Sequence, residues 1–318
     1  MGDPSFKAIN YSLRPKKNVE RKLIGELLGA MEDSFSISNY RYIGFGSMWF
    51  TDFVLFHRLL NIHDMISIEK EKSSAERASF NAPYSCIKVK IGEASKVLPE
   101  LQWDDKPAIV WLDYDKQLDS GYFDDLDILG KYTSYSGSIV LITANAHEKQ
   151  LVIKRERKER PRREEVFSIL TSNILQPPFS KEDFGQNFPQ TLAKAIIAKL
   201  DSAVRNAGKG LKFCPIFNYY YKDGAPMITV GGMIATSEDI AKYHGLNLKA
   251  RHIHVPGNEQ VVIDVPHLTA KEKMRLDEFC PNKVIPCASE LGFELGEDEL
   301  RGYQKFYRYY PLFSELYI

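Results

Sequence analysis

Residues 41–71 read RYIGFGSMWFTDFVLFHRLLNIHDMISIEKE. A short apolar run, Tyr42 and Ile43, leads into Gly44-Phe45-Gly46-Ser47. Apolar residues then recur at helical spacing: Trp49, Phe50, Phe53, Val54, Phe56, Leu59 and Leu60. A second apolar run, Met65 to Ile68, ends on Glu69. The order predicts a strand, a glycine turn, a helix over 47–60, a second strand and a terminal acid. Such a unit binds a nucleotide-like ligand. The glycines let backbone approach it, the helix N-terminus offers N–H groups, and an acid about 20 residues past the glycines reaches ribose hydroxyls.

On the N-terminal side, Asn18 is placed to cap a helix running to about Met31, with Val19, Leu23, Ile24, Leu27 and Leu28 on one face. This helix would cover one side of the ligand cleft. The preceding Arg14-Pro15-Lys16-Lys17 could meet an anionic substrate, but a solvated lead-in is the preferred reading. On the C-terminal side, KEKSSAERASF predicts a short helix, broken by Asn81-Ala82-Pro83-Tyr84. Cys86–Ile91 predicts a third strand, followed by Gly92-Glu93-Ala94 and a helical segment to Leu101. Ala108–Leu112 predicts a fourth strand, ending in Asp113-Tyr114-Asp115-Lys116. A helix over Gly121–Lys131 and a fifth strand over Ser138–Thr143 complete the run. Strands alternating with helices at this spacing argue for a parallel sheet covered on both faces.

The middle of the chain changes character. His147 to Glu165 carries the charge run KRERKERPRREE, and 166–190 is rich in proline and phenylalanine. We read about 146–189 as an insertion or lid. Pro189–Asn206 then predicts a helix. Leu211–Tyr221 and Met227–Ile234, joined through Lys222-Asp223-Gly224-Ala225-Pro226, predict a β-hairpin. Beyond it, a helix over Ser237–Leu246, short strands at Ala250–Val255 and Gln260–Val265, a helix capped by Thr269 with Glu272, and a helix over Glu297–Tyr309 are expected. The chain thus divides into an N-terminal helical cover (1–35), an α/β domain (36–236) and a C-terminal extension (237–318).

Lysine plus arginine and aspartate plus glutamate both number 42, so no global field favours nucleic acid or an acidic membrane. The four cysteines, Cys86, Cys214, Cys280 and Cys287, form no C-x-x-C pair, which predicts free thiols in a reducing cytoplasm. The N-terminus has no apolar core for a signal peptide, and no run approaches the ~20 apolar residues of a membrane span.

The region from about Tyr40 to Asn145 resembles a class I S-adenosylmethionine-dependent methyltransferase. Gly44-Phe45-Gly46-Ser47 resembles the glycine loop after strand one, and Glu69 the ribose acid. Gly92-Glu93-Ala94, followed by Leu98-Pro99-Glu100-Leu101, resembles a G-D-A…L-P-x-L segment whose acid lies near the adenine. Trp111-Leu112-Asp113-Tyr114-Asp115-Lys116 resembles the end of strand four, where the reaction takes place. The Leu13-Arg14-Pro15-Lys16 and Tyr42-Ile43-Gly44-Phe45-Gly46-Ser47 segments further suggest a bacterial family of O-methyltransferases. The resemblance implies a Rossmann-like, seven-stranded α/β sheet with its last strand antiparallel, an inserted segment after strand five and a C-terminal α+β extension. It implies S-adenosylmethionine at Gly44, Phe45, Gly46, Ser47, Glu69, Gly92, Glu93, Ala94 and Asp113. Asp113, Asp115 and Lys116 would face an unidentified methyl acceptor. The loop departs from the pattern at Met48, where a third glycine is usual.

In metal-dependent O-methyltransferases a D-x-D-K segment supplies a Mg²⁺ ligand and a lysine base, which Asp113 and Lys116 match. The Asp-Asn pair after strand five is only half present, as Ala144-Asn145, so we assign no metal. His252, His254, His267, Cys280 and Cys287 match no zinc spacing. Two rival readings stand beside the enzyme: a catalytically degenerate fold that binds a nucleotide or a partner, and a nucleic-acid-modifying enzyme using Arg155, Arg157, Arg160, Arg162 and Arg163 as a clamp. The acids within that run favour a solvated helix instead. The C-terminal aromatics, Tyr303 to Tyr317, are read as core packing rather than a base-stacking surface.

Overall fold

The computed structural model describes residues 14–70, 72–114, 120–148, 163–171, 174–175, 179–248, 253, 255–283 and 288–311. Five parallel strands form its centre: β1 (Arg41–Gly44), β2 (Asp64–Glu69), β3 (Ile87–Ile91), β4 (Ala108–Asp113) and β5 (Ser138–Asn145). The long hairpin strands β6 (Lys212–Asp223) and β7 (Ala225–Ala235) and the short β8 (Val261–Ile263) complete one sheet, ordered β3-β2-β1-β4-β5-β7-β6-β8. β7 runs antiparallel to both neighbours, and β8 pairs in parallel with Tyr219–Tyr221 of β6. The sheet therefore has eight strands where seven were expected. Gln260–Val265 supplies the extra one by joining the main sheet. The other expected C-terminal strand, Ala250–Val255, lies largely outside the described residues.

Strand sequences explain the layers. β4 is an unbroken apolar run, Ala-Ile-Val-Trp-Leu, as a strand buried on both faces must be. Its alternate residues go to opposite sides. Ile109 and Trp111 join a core with Tyr42, Phe53, Phe56 and the N-terminal helix, while Val110 and Leu112 join one with Leu126, Leu129, Ile196 and Leu200. The second core is closed by α5 (Ser120–Tyr132) and α7 (Phe188–Asn206). Phe167 of α6 (Arg163–Leu170) packs edge-to-face there with Phe179, Phe184 and Phe188, so the described part of the insertion is packed onto the sheet. β3 is the exposed edge, with Lys88 and Lys90 facing water, a usual guard against edge pairing.

The first core is closed by α1 (Pro15–Ala30) and α2 (Thr51–Leu60). α1 starts earlier than the sequence suggests. Arg14 is the N-cap and Pro15 the first helical residue, where its fixed φ fits and no N–H is needed. Asn18 lies inside the helix and donates back to the Arg14 carbonyl at 3.1 Å. The Lys17 N–H, one of the unpaired donors of a first helical turn, is taken by Asp223 Oδ2 at 3.0 Å. α1 is buried on two sides because the C-terminal extension covers its outer face. Lys22 donates to the Tyr310 carbonyl at 3.2 Å, and the Tyr309 hydroxyl donates to Glu26. Tyr303, Phe306, Tyr309 and Tyr310 are core residues; Phe313 and Tyr317 lie outside the described residues.

Other boundaries shift for local reasons. α2 begins at Thr51, not 47, because Ser47 and Phe50 take left-handed φ of 50° and 47°. Phe50, Phe53, Phe56 and Leu60 face the core as expected, but Trp49 and Leu59 are exposed. The hairpin is tighter than the five-residue turn expected. Pairing runs to Asp223 opposite Ala225, with Gly224 at φ 93° as the tip. α9 (Ala270–Asp277) carries the expected capping box of Thr269 and Glu272. α4 (Ala94–Val97), α8 (Ser237–His244) and α10 (Glu297–Phe306) lie within the segments expected for them, while α3 (Lys72–Asn81) runs one residue further, through Asn81, before the Pro83 break. No helix among the described residues is long and apolar enough to cross a membrane.

Candidate functional site

A cavity of about 700 Å³ opens at the C-terminal ends of β1 to β5 and is closed by the tip of the β6–β7 hairpin and the start of α1. The sheet order reverses between β1 and β4, and the cavity lies at that switch point, where ligands of open α/β sheets bind. Its volume falls in the range of small-molecule sites.

The β1 loop folds as it does because two acceptors hold it. The Gly46 N–H donates to Ser67 Oγ at 3.1 Å, and Ser67 Oγ in turn lies 3.5 Å from Glu69 Oε1. The Ser47 N–H points at the Glu69 carboxylate. Burial pushes the Glu69 carboxyl up from its ordinary value, against the pull of Ser47 and Ser67. Neither loop glycine has a positive φ; their lack of a Cβ is what matters. A Cβ on Gly46 would come within 2.6 Å of the Phe50 ring and of Ser67 Oγ. One on Gly44 would lie 2.8 Å from the Tyr42 hydroxyl and 3.1 Å from the Trp111 carbonyl.

Of the residues singled out by sequence, Phe45, Gly46, Ser47, Glu69, Gly92, Glu93, Ala94 and Asp113 all line the cavity. Met48, at the departure from the loop pattern, lines it too. Gly44 stands behind it, in the packing of β1 against β4. Glu93 is half exposed and paired to Lys70 at 2.9 Å, with Lys96 at 3.7 Å. The hydrogen bond and charge of Lys70, with the charge of Lys96, hold its carboxyl below the usual range. Asp115 and Lys116 lie outside the described residues, as do Arg155, Arg157, Arg160, Arg162, His252, His254 and Cys287. Arg163 pairs with Glu148. His267 is exposed. Among the described residues no three histidine, cysteine or acidic side chains gather in a way that could hold a metal.

α1 covers one side of the cavity as expected, but sequence reasoning missed the charges it buries there. Lys17, read there as solvated, is buried to 2% exposure. Its ammonium lies 3.0 Å from Asp113 Oδ2 and 2.9 Å from Glu20 Oε2, over the faces of Trp111 (4.9 Å) and Tyr221 (5.5 Å). Burial opposes the charge on Lys17, but Asp113 and then Glu20 outweigh it and hold its pKa well above the ordinary lysine value. Burial pushes the Glu20 carboxyl up, against the pull of Lys17 and the Thr229 hydroxyl. Behind them, the Trp111 indole donates to Thr143 Oγ1 at 2.8 Å, and Thr143 meets Thr229 at 2.6 Å. One turn along α1, Arg21 pairs through Nε with Asp52 in the first turn of α2. Its Nη1 is a buried donor with no hydrogen-bond partner among the described residues. The signal was present in the sequence: Lys17, Arg21, Ile24 and Leu28 share one helical stripe, so two cations occupy core positions.

The other side of the cavity is aromatic. Phe45, Tyr114 and Tyr122 pack in succession, at 5.5 and 4.3 Å between ring centres, with the Tyr114 hydroxyl donating to Asp125 at 2.5 Å. The model of a family described as "Putative O-methyltransferase" matches residues 9–318. The chain belongs to that family. Its fold is the class I methyltransferase sheet, extended by one strand. No curated protein matches the chain. Among solved structures it is similar to Trm1 from Pyrococcus horikoshii in complex with S-adenosyl-L-methionine, at 12% identity and a TM-score of 0.47 over 72% of this chain and 58% of that one. It is also similar to a putative O-methyltransferase from Klebsiella pneumoniae (13%, 0.39, 74% and 92%) and to the O-methyltransferase from Bacillus cereus in complex with SAH (9%, 0.39, 72% and 86%). Likenesses this distant say nothing of what this member of the family binds.

Proposed function

We propose that the protein transfers a methyl group from S-adenosylmethionine to an oxygen of a small acceptor. The observation that carries this reading is the Gly46–Ser67–Glu69–Ser47 arrangement at the switch point of a family member's sheet. It leaves a glycine-lined backbone and a half-buried acid facing one cavity. The residues fit the cofactor. Glu69 would accept from the ribose hydroxyls, Gly92, Glu93 and Ala94 would border the adenine, and Phe45, Gly46 and Ser47 would lie along the thioether chain. When bound, the cofactor supplies the electrophilic methyl group of its sulfonium. Asp113 would accept a hydrogen bond from the acceptor's hydroxyl, orient its oxygen and take its proton as the methyl group transfers. Lys17, paired to the Asp113 carboxylate at 3.0 Å, fixes its position. Tyr114 and Tyr122 would exclude water from the reacting oxygen.

We further read Asp115 and Lys116 as neighbours of the acceptor, the chain as a helical cover, an α/β domain and a C-terminal extension, and its setting as a bacterial cytoplasm. Free thiols at Cys86, Cys214 and Cys280 support that setting. A non-catalytic ligand-binding module is the second reading, favoured by the engagement of the Gly46 N–H with Ser67 within the protein.

Methyl-labelled S-adenosylmethionine incubated with the protein and a metabolite extract separates the two. Transfer of label to a small molecule, lost in Asp113→Ala, is the expected result. Tight cofactor binding with no label leaving it, the same for wild type and Asp113→Ala, would establish the non-catalytic reading instead.

A further inference from the structure

We propose that Arg21, on the helix outside the α/β core, holds the carboxylate of the cofactor's methionyl tail; this rests on the reading of the cavity as an S-adenosylmethionine site. Arg21 lines the cavity and is 4% exposed. A guanidinium carries five N–H donors. Asp52 takes Nε, and Nη1 has no hydrogen-bond partner among the described residues. An unmet donor on a buried cation lowers stability unless a ligand completes it. A carboxylate is the anion whose planar geometry a guanidinium matches.

Several donors of the loop already have partners. The Gly46 N–H is on Ser67, the Trp49 N–H on Ser47 Oγ at 3.3 Å, and the Phe50 N–H on the Gly46 carbonyl at 2.8 Å, while the Ser47 backbone faces Glu69. These loop donors are thus turned to partners within the protein; to what the N–H groups in the first turn of α2 offer an anion, Arg21 adds a formal positive charge. Other cations of the cavity wall are also committed: Lys17 to Asp113 and Glu20, and Lys70 to Glu93. Placement agrees. Arg21 sits against the first turn of α2 and within the field of Asp113 and Tyr221, on the β4 side of β1. Glu69 ends β2 and Gly92 directly follows β3 on the other side of β1. A ligand with its ribose at Glu69 and its tail at Arg21 spans β1.

The test compares two ligands that share the nucleoside and thioether. S-Adenosylhomocysteine has the amino-acid tail; methylthioadenosine lacks it. Both are titrated calorimetrically into the full chain as wild type, Arg21→Gln and Arg21→Lys, with thermal unfolding as a check of folding. Arg21→Lys keeps a cation beside Asp52 but loses Nη1, and stands in if Arg21→Gln does not fold. We expect both variants to weaken S-adenosylhomocysteine by roughly 10- to 100-fold and methylthioadenosine by no more than about twofold. Equal weakening of both ligands, or no weakening of S-adenosylhomocysteine, would overturn the assignment. Wild type binding neither ligand would instead overturn the reading of the cavity on which it rests.

Discussion

The ammonium of Lys17 lies 3.0 Å from Asp113 Oδ2, joining the first helix to the end of the fourth strand. Lys17 is buried and Asp113 a quarter exposed, so the pair has one foot in the core and one in the cavity. The third partner, Glu20, is fully buried. Replacing Lys17 by methionine should therefore cost about 3–5 kcal/mol, because Glu20 is left charged or protonated without its cation. Lys17→Met with Glu20→Gln should recover part of the loss. Urea denaturation midpoints check both. A Lys17→Met change within error of wild type would show that the triad adds nothing to the fold.

Glu69 gives a pH dependence whose sign is fixed. Burial raises its pKa in the folded protein, so the fold holds its proton to higher pH than the unfolded chain does. Stability from this group is present at low pH and falls as pH rises through the raised value. Glu69→Gln should be more stable than wild type at about pH 7 and show no gain at about pH 4. Cofactor affinity should run the opposite way, falling on acidification already above the ordinary glutamate range. Paired denaturation and titration series at the two pH values test this; an equal stability gain at both would contradict it.

Gly46→Ala places a methyl group within 2.6 Å of the Phe50 ring and Ser67 Oγ. Phe50 is fully buried and cannot withdraw, so the loop must move. A loss of about 1–3 kcal/mol is expected, together with loss of cofactor binding. Calorimetric scanning with and without cofactor reads both. Unchanged binding would mean that the loop does not shape the site.

Thr143 receives the Trp111 indole N–H and meets Thr229 across the β5–β7 pair. Thr143→Val keeps the shape and removes the hydroxyl. It should cost about 1–3 kcal/mol, since the indole donor is buried with nowhere else to go. Chemical denaturation followed by tryptophan fluorescence would measure it.

The sheet was legible because its strands are apolar runs that must be buried on both faces, as Ala108–Leu112 and Ser138–Thr143 are. Glu69 and Asp113 were legible because strand ends fall where apolar runs meet an acid. β8 was foreseen as a strand but not as part of the sheet, since three residues carry no register of their own. Asn18 misled because a good capping residue lies four places after the true N-cap, and Pro15 had already set the start. Lys17 was taken for solvent-facing charge, and Arg21 was passed over, because charge near a helix start is ordinarily solvated. Only the stripe they share with Ile24 and Leu28 betrays them, and their acid partners, Asp52 and Asp113, are 31 and 96 residues away.

The central claim is that the cavity at the β1–β4 switch point takes S-adenosylmethionine, with Glu69 on its ribose. Calorimetric titration of S-adenosylmethionine into wild type and Glu69→Ala tests it most directly. The account predicts saturable one-to-one binding to wild type and a loss of roughly 10-fold or more in Glu69→Ala, the effect of removing a charged acceptor. Absence of heat at millimolar cofactor, or equal affinity for both proteins, would contradict it.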